Sequence, residues 1–275
     1  MYQIIKKEKL NDVTELIEVY APYVARKCQA GQFIIVRVGE DGERIPLTIA
    51  DYNRQKETIT IIYQIIGYTT KCLSVLNEGE YLTDFVGPLG APTNFGKVKH
   101  VIGVAGGVGS APLYPQLRAL AEKGVKVDVI IGGRSEPYLL WVDKFKEFCD
   151  TVYLTTDDGS AGRQGFVTTV LEEVLESQNT IDEVISIGPI PMMKAVVSVT
   201  KKRNIKTSVS LNPIMIDGTG MCGCCRVSVG GNLKFACIDG PDFDGLLVDF
   251  DELINRQKMF VTEESHICKL TGVKK

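Results

Sequence analysis

The stretch VIGVAGGVGSAP, residues 101–112, decides how the middle of this chain folds. Its first residues are apolar and predict a fully buried strand, and the glycines that follow predict a tight turn. Pro112 stands at the start of a helical pattern, a position that favours proline. A strand, a glycine turn and a helix in this order point backbone N–H groups and the positive helix end towards an anion such as a diphosphate.

This turn departs from the G-x-G-x-x-G fingerprint of dinucleotide-binding folds, because Pro112 stands in place of its last glycine. A tight strand-to-helix turn without a ligand is therefore the alternative interpretation. The candidate nucleotide contacts of the turn are Gly106, Gly107, Val108, Gly109, Ser110 and Ala111.

Strand and helix patterns alternate from about residue 98 to residue 207, which predicts βαβ units around a parallel sheet. Ligands of such sheets bind at the carboxyl ends of the strands. Further candidate contacts at these ends are Arg134, Asp157, Gly188 and Pro189. Arg134 suits either a 2′-phosphate or a carboxylate, whereas Glu136 and Asp157 would repel a phosphate and accept from a ribose hydroxyl. The balance favours NAD(H) over NADP(H).

The first 97 residues contain short strand patterns separated by turn signals, such as GQFIIVRV at 31–38 and TITIIYQII at 58–66. They predict an antiparallel barrel. Its strands can offer the flat apolar slot, the backbone donors and the basic or hydroxyl-rich patch that a flavin needs, although a buried strand with a turn gives the same pattern. The candidate flavin contacts are Arg44, Pro46, Leu47, Thr48, Tyr63, Gln64, Ile65, Thr69 and Thr70.

Four of the eight cysteines lie within residues 222–237. Plant-type [2Fe–2S] proteins use the spacing C-x4-C-x2-C…C, and here Asp217 stands in the slot of the first cysteine. The segment therefore predicts a [2Fe–2S] site whose candidate ligands are Asp217, Cys222, Cys225 and Cys237.

The fourth ligand of this site is either Asp217 or Cys224. Adjacent side chains in an extended loop point to opposite sides, so Cys224 is poorly placed to share a cluster with Cys225, and Asp217 is favoured. A carboxylate is a harder ligand than a thiolate and can be protonated, which predicts an altered potential and some pH dependence. A structural zinc is the alternative, but zinc sites prefer paired C-x2-C knuckles and this segment has one.

Composition limits the classes of function. The chain has 275 residues and a formal net charge of −3, which gives no reason to expect binding to nucleic acid or to anionic membranes. We find neither an apolar run of about 20 residues nor a signal peptide, and we expect a cytoplasmic protein. The predicted architecture is a β plus α/β chain with a flavin-binding barrel at 1–97, a nucleotide-binding domain at 98–207 and an iron–sulfur segment at 208–275.

Three motifs carry a resemblance to a known family. They are R-x-P-[ILF]-[ST] at Arg44–Thr48, GGxGxAP at Gly106–Pro112, and the cysteine loop followed by D-G-P-x-F at Asp239–Phe243. Together they resemble the ferredoxin–NADP⁺ reductase superfamily, and within it the branch containing the electron-transfer subunit of NAD-linked dihydroorotate dehydrogenase. Asp217, with the stretches RIPLTIADY and PIMIDGTGMCGCC, is most similar to the small subunits of NADH-dependent reduced ferredoxin:NADP⁺ oxidoreductases.

The resemblance implies an NAD(P)-linked flavoprotein oxidoreductase that holds FAD, [2Fe–2S] and NAD(H). It also implies a heterodimer with a larger flavin and [4Fe–4S] subunit related to the glutamate synthase small subunit, and electron bifurcation with ferredoxin as a partner of the complex. A hydride would pass from the nucleotide to the flavin and leave as single electrons, a route that needs orientation and no acid–base residue. The alternatives are a dihydroorotate dehydrogenase subunit and a zinc-bearing nucleotide-binding module.

Overall fold

The computed structural model describes residues 2–178 and 180–270. The N-terminal part is a seven-stranded antiparallel sheet that forms a nearly closed barrel, with the strand order β6-β1-β2-β5-β4-β3-β7. Its elements are β1 (Tyr2–Lys9), β2 (Thr14–Tyr20), α1 (Pro22–Lys27), β3 (Phe33–Arg37), β4 (Arg44–Asn53), β5 (Thr58–Gln64), α2 (Tyr68–Val75), β6 (Tyr81–Leu82) and β7 (Asp84–Leu89).

Successive side chains of a strand point to opposite faces of the sheet, and in the barrel the apolar side chains of one face pack together in its interior. Along β5, Ile59, Ile61 and Tyr63 all point into one buried cluster, as the two-residue period of a strand requires. Ile17 and Val19 of the neighbouring β2 join the same cluster. The predicted antiparallel barrel is therefore confirmed.

The second sheet is parallel over six strands and adds one antiparallel edge strand, β16 (Asp242–Asp244), in the order β11-β10-β9-β8-β12-β13-β16. Its elements are β8 (His100–Gly106), a 3-10 turn (Gly107–Gly109), α3 (Ser110–Ala121), β9 (Lys126–Gly133), a 3-10 turn (Glu136–Tyr138), α4 (Val142–Lys146), β10 (Thr151–Thr156), β11 (Arg163–Gln164), α5 (Val167–Ser177), β12 (Glu183–Ile187), α6 (Ile190–Lys201) and β13 (Lys206–Ser210).

Helices cover both faces of this sheet, as an apolar parallel strand requires. Val101 and Ala105 of β8 pack in the cluster on the α3 side, whereas Ile102 and Val104 pack in the cluster on the α5 and α6 side. The strand order reverses at β8, whose neighbours are β9 and β12. In such sheets the crevice at the reversal point is where ligands bind, and this is where the glycine turn lies.

The C-terminal part contributes β14 (Arg226–Val229), β15 (Asn232–Phe235), β16 (Asp242–Asp244), α7 (Phe250–Gln257) and α8 (Val261–Leu270). Strand β16 pairs with β13, so this part adds an edge strand to the parallel sheet. The predicted limits 1–97, 98–207 and 208–275 stay a prediction, and Met1 and residues 271–275 lie outside the described residues. Among the helices of the described ranges, none has the length and apolar character needed to cross a membrane.

One buried cluster joins the three parts of the chain. It contains Phe33 and Ile35 of the barrel, Met193 of α6, and Cys225 and Cys237 of the C-terminal segment. The iron–sulfur segment is therefore packed against both sheets.

Leu253 tests this shared core, because its side chain on α7 is 2% exposed within the cluster. We expect Leu253→Ala to lower the free energy of unfolding by about 2–5 kcal/mol, the usual cost of a cavity. Leu233→Ala is the matched control, since Leu233 on β15 is 57% exposed and its truncation should cost about 0.5 kcal/mol or less. Urea unfolding measures both, and equal losses would contradict the packing described here.

Candidate functional site

The glycine turn is built by close approaches that leave no room for a side chain. A Cβ atom on Gly109 would lie 2.2 Å from the carbonyl oxygen of Ile187, at the end of β12. A Cβ atom on Gly106 would lie 2.4 Å from the sulfur of Met192 on α6. Gly107 has a φ of +55°, a conformation that favours glycine. The ends of β8 and β12 therefore meet at the turn.

The same crevice holds the predicted contacts Gly188 and Pro189, which connect β12 to α6. A Cβ atom on Gly188 would lie 3.1 Å from the backbone nitrogen of Gly106. Ser110 is fully buried and its hydroxyl donates to the carbonyl of Gly107 at 3.1 Å, so this side chain fastens the turn. The structure brings all of these residues to the carboxyl edge of the sheet.

Arg134 directly follows β9 and Asp157 directly follows β10. A backbone hydrogen bond connects the loops that begin at these two residues. The N–H of Asp157 donates to the carbonyl of Gly133 at 3.1 Å. The guanidinium of Arg134 lies 4.4 Å from the centre of the Tyr138 ring, a cation–π contact. Arg134 is therefore held over an aromatic ring at the edge of the crevice.

Two further polar residues fix the shape of this edge. The hydroxyl of Ser160 accepts from the N–H of Glu136 at 2.8 Å and donates to Asp158 Oδ1 at 2.6 Å. The Ser160 side chain and backbone hydrogen bonds lower the pKa of Asp158. The loop after β10 thus presents an ionised carboxylate beside the loop after β9.

The predicted flavin strand and the predicted nucleotide turn adjoin each other. Ala50 of β4 and Ala111 of α3 are both buried in one small cluster, together with Ile62 of β5. Asp51 of β4 pairs with Arg118 of α3 at 2.8 Å, and Lys144 of α4 lies 3.8 Å from the same carboxylate. The barrel and the parallel sheet are therefore joined by both apolar packing and an ion-pair network.

Among the predicted flavin contacts, Arg44 has a side-chain hydrogen-bond donor that is not satisfied. Its Nε atom is buried and has no hydrogen-bond partner within residues 2–178 and 180–270. A buried donor without a partner is costly, and an acceptor on a bound ligand would satisfy it. Arg44 begins β4, and Pro46, Leu47 and Thr48 follow it while pairing with β3.

The other predicted flavin contacts are partly engaged inside the barrel. Tyr63 is 2% exposed and its hydroxyl donates to Glu15 at 2.7 Å, and burial raises the pKa of this phenol. Its side chain points into the core. Gln64 and Ile65, half-buried, follow it. Thr69 donates to Glu43 at 2.9 Å, and the Thr70 hydroxyl accepts from the N–H of Gly67 at 3.2 Å.

The cysteine loop, which comprises residues 217–237 and includes strands β14 and β15, lies against the end of the barrel. A Cβ atom on Gly218 would lie 2.8 Å from Leu89 Cδ1 and 3.0 Å from Ile35 Cγ1. A cavity of about 310 Å³ lies between the loop and the end of β7 with the two residues that follow it. Its lining residues are Pro88, Leu89, Gly90, Ala91, Gly218, Thr219, Cys237 and Ile238.

Asp217 is held as a carboxylate by its own loop. Its Oδ2 atom accepts from the N–H and hydroxyl of Thr219 at 3.0 and 2.6 Å, and from the N–H of Met221 at 3.2 Å. The Thr219 hydrogen bonds lower the pKa of Asp217, and the positive charge of Arg44 lowers it further. An ionised carboxylate is the form that binds a metal.

The thiols of the loop differ in their surroundings. Cys225 and Cys237 are buried with their sulfur atoms 3.2 Å apart, whereas Cys222 is exposed. Burial, followed by the contact with Cys225, raises the pKa of Cys237 to about 12. A hydrogen bond from the backbone of Cys224 lowers the pKa of Cys222.

In the described part of the chain, no three His, Cys, Asp or Glu side chains are arranged to hold a metal ion. The donor set nevertheless suits an iron–sulfur cluster. Four thiols and one ionised carboxylate lie within residues 217–237, and backbone N–H groups of Cys224 and Gly220 reach two of the sulfurs.

Sequence reasoning missed Asp242, whose carboxylate joins three parts of the chain. It accepts from Thr93 at 2.5 Å and from Gln116 of α3 at 3.2 Å, and burial raises its pKa. Asp242 occupies the variable position of the D-G-P-x-F stretch, so no motif signals its role. Arg256 of α7, which donates to the carbonyl of Cys224 at 3.1 Å, was also missed, since it lies in no motif.

Comparisons with known proteins agree with this architecture. Residues 212–249 match the model of the iron–sulfur cluster binding domain of dihydroorotate dehydrogenase B, and residues 104–198 match the oxidoreductase NAD-binding domain. The fold and the site thus define an oxidoreductase subunit with NAD-binding and iron–sulfur-binding domains.

Two relatives and two solved structures refine the class. The chain is 42% identical over 262 residues to a Thermotoga maritima protein described as a homologue of the dihydroorotate dehydrogenase B (NAD(+)) electron transfer subunit, covering 95% of this chain and 92% of the relative. A Caldanaerobacter subterraneus electron transfer subunit of that enzyme is 35% identical, with 84% and 91% covered. The chain belongs to the family of dihydroorotate dehydrogenase B electron transfer subunits, and the resemblance expected from the sequence is confirmed.

A solved chain of the NADH-dependent reduced ferredoxin-NADP oxidoreductase superposes with a TM-score of 0.94 at 40% identity, covering 100% of this chain and 98% of that one. A ferredoxin reductase of carbazole 1,9a-dioxygenase has a TM-score of 0.61 at 16% identity, covering 74% of this chain and 65% of that one. The second likeness shows the shared fold alone.

Proposed function

We propose that this chain is the NADH-linked electron-transfer subunit of an electron-bifurcating NADH-dependent reduced ferredoxin:NADP⁺ oxidoreductase. The observation that carries the proposal is the likeness to the solved oxidoreductase chain, which extends over the whole length at a TM-score of 0.94. Asp217 in the slot of the first cysteine supports the same assignment.

The barrel would hold FAD. The buried Nε of Arg44 offers an unsatisfied donor to the flavin nucleotide, and the backbone of β4 and β5 borders the same region. Arg44 also lies close enough to Asp217 for its charge to lower the pKa of that carboxyl. The barrel motif and the cysteine loop therefore face a common region, which is what electron transfer between flavin and cluster needs.

The parallel sheet would hold NAD(H). The N–H groups of the glycine turn and the start of α3 favour the diphosphate, because the positive end of a helix attracts anions. Ala50 and Ala111 pack in one buried cluster, which keeps the nucleotide turn beside the flavin strand. This packing would orient the two rings for hydride transfer, and no side chain is required to move a proton.

The cysteine loop would hold the [2Fe–2S] cluster through Asp217, Cys222, Cys225 and Cys237. A bound flavin takes up electrons in pairs and can release them singly, as a one-electron iron–sulfur centre requires. The chain's own contribution is to pack Cys225 and Cys237 into the core shared by barrel and sheet. Cys222, which is exposed, faces the side open to a partner protein.

The partner would be a larger subunit that carries a second flavin and [4Fe–4S] clusters and is related to the glutamate synthase small subunit. Family membership supports a partner of some kind, since the relatives are described as subunits. The second candidate is the electron-transfer subunit of dihydroorotate dehydrogenase itself, which the match of residues 212–249 favours.

Anaerobic purification of the tagged chain from its native host separates the two candidates. The proposal expects a larger flavin and [4Fe–4S] subunit, and NADH-dependent reduction of NADP⁺ by reduced ferredoxin. A smaller flavoprotein partner, with oxidation of dihydroorotate by NAD⁺ and no NADP⁺ reduction, would support the second candidate. A colourless chain that binds neither flavin nor iron would exclude both.

Asp217 provides a direct test of the ligand set. We expect Asp217→Cys to keep the cluster with a shifted reduction potential, because a thiolate replaces a harder oxygen ligand. Asp217→Ala should lose or alter the cluster's EPR signal. Asp244→Ala is the matched control, since Asp244 also accepts a backbone N–H in its own turn, at 3.0 Å, and lies outside the loop. If Asp217→Ala retains the wild-type signal and potential, Asp217 is not a ligand.

The carboxylates beside Arg134 test the nucleotide preference. Glu136 and Asp157 are exposed at the edge of the crevice, and both would repel a 2′-phosphate. The double variant Glu136→Gln, Asp157→Asn should raise the ratio of kcat/KM for NADPH to that for NADH by about tenfold, since each like charge removed favours the phosphate. Stopped-flow flavin reduction measures it, with the exposed Asp143→Asn as the control. A ratio equal to that of the control would refute the assignment.

A further inference from the structure

The turn between Cys222 and Cys225 is held from outside by two arginines. Gly223 and Cys224 are the two residues of this turn, and the carbonyl oxygen of each accepts from a guanidinium. Arg256 Nη2 donates to the carbonyl of Cys224 at 3.1 Å, and Arg226 Nη1 lies 3.4 Å from the carbonyl of Gly223. Arg256 is half-buried, whereas Arg226 is exposed.

These contacts set the direction of the peptide groups. In a trans peptide the C=O and the following N–H point in opposite directions. The Gly223 carbonyl points outwards to Arg226, and the N–H of the same peptide, on Cys224, points to the sulfur of Cys222. The Cys224 carbonyl likewise points outwards to Arg256. The arginines therefore hold the outer side of a turn whose inner side faces the sulfurs.

Arg256 is itself fixed by the helix that carries it. Asp249 caps α7 by accepting from the N–H groups of Asp251 and Glu252 at 3.1 and 2.9 Å. Leu253 is buried in the shared core, and the next residue after Arg256, Gln257, donates to the carbonyl of Asn212 at 2.8 Å. The last turn of α7 therefore binds the iron–sulfur segment at two places. Gln257 holds the backbone at Asn212, and Arg256 holds it at Cys224, between Cys222 and Cys225.

We propose that Arg256 is a positioning residue for the iron–sulfur site, which holds the Cys222–Cys225 turn and raises the reduction potential of the cluster. This inference rests on the proposed function. A cluster gains one negative charge when it is reduced, and a nearby positive guanidinium stabilises that charge. Backbone N–H groups directed at the sulfurs act in the same sense.

The experiment is an EPR redox titration of the cluster in the purified complex, with iron and sulfide content measured first. Arg256→Gln should keep the cluster and lower its midpoint potential by about 59 mV. This shift corresponds to a tenfold change in the equilibrium constant of a one-electron reduction. Arg256→Lys keeps the charge and loses the planar fork, so its potential should lie between that of Arg256→Gln and that of the wild type.

Lys258→Gln is the matched control, because it removes a positive charge from the residue that directly follows the same helix. Its ammonium lies 3.3 Å from Asn255 and its substitution should leave the potential at the wild-type value. A potential for Arg256→Gln equal to that of Lys258→Gln would overturn the inference.

Two further outcomes keep the test decisive. If Arg256→Gln binds no cluster, Arg256→Lys carries the comparison, and an unchanged potential in that variant would overturn the inference. If the wild-type complex contains neither iron nor sulfide, the proposed function fails instead, so the two failures are distinguishable.

Discussion

Two buried sulfur atoms pack among apolar side chains that come from every part of the chain. Cys225 and Cys237 share a cluster with Phe33 and Ile35 of the barrel and with Met193 of α6. Burial of this apolar surface stabilises the fold and fixes where the cysteine loop lies relative to the two sheets. An electron route through a flavin and a cluster requires short distances, and here the same packing that stabilises the chain keeps the candidate sites close.

Close backbone contacts extend this arrangement to the nucleotide site. Gly109 lies against the end of β12, and Gly218 lies against the barrel residues Leu89 and Ile35. In both places a Cβ atom would meet atoms closer than van der Waals contact allows. Glycine therefore acts here through its lack of a side chain, and it lets the candidate diphosphate turn and the cysteine loop approach their neighbours.

Charged groups then refine the geometry that packing provides. Asp51 and Arg118 join barrel and sheet at 2.8 Å, in a partly buried position where an ion pair is worth more than on the surface. Arg44 lowers the pKa of Asp217 across the boundary between barrel and cysteine loop. Arg256 reaches the loop from α7. Each of these contacts connects residues distant in sequence, and each bears on a candidate cofactor site.

Local patterns in the sequence were enough for the architecture and for the kind of site. Short strand patterns separated by turn signals predicted the barrel, the alternation of strand and helix patterns predicted the parallel sheet, and the spacing from Asp217 to Cys237 predicted the iron–sulfur segment, because these signals are set by neighbouring residues. The inward direction of Tyr63, the role of Asp242 and the grip of Arg256 on Cys224 were not predictable in this way. They arise from contacts between distant residues, and only the folded chain decides which side chains meet.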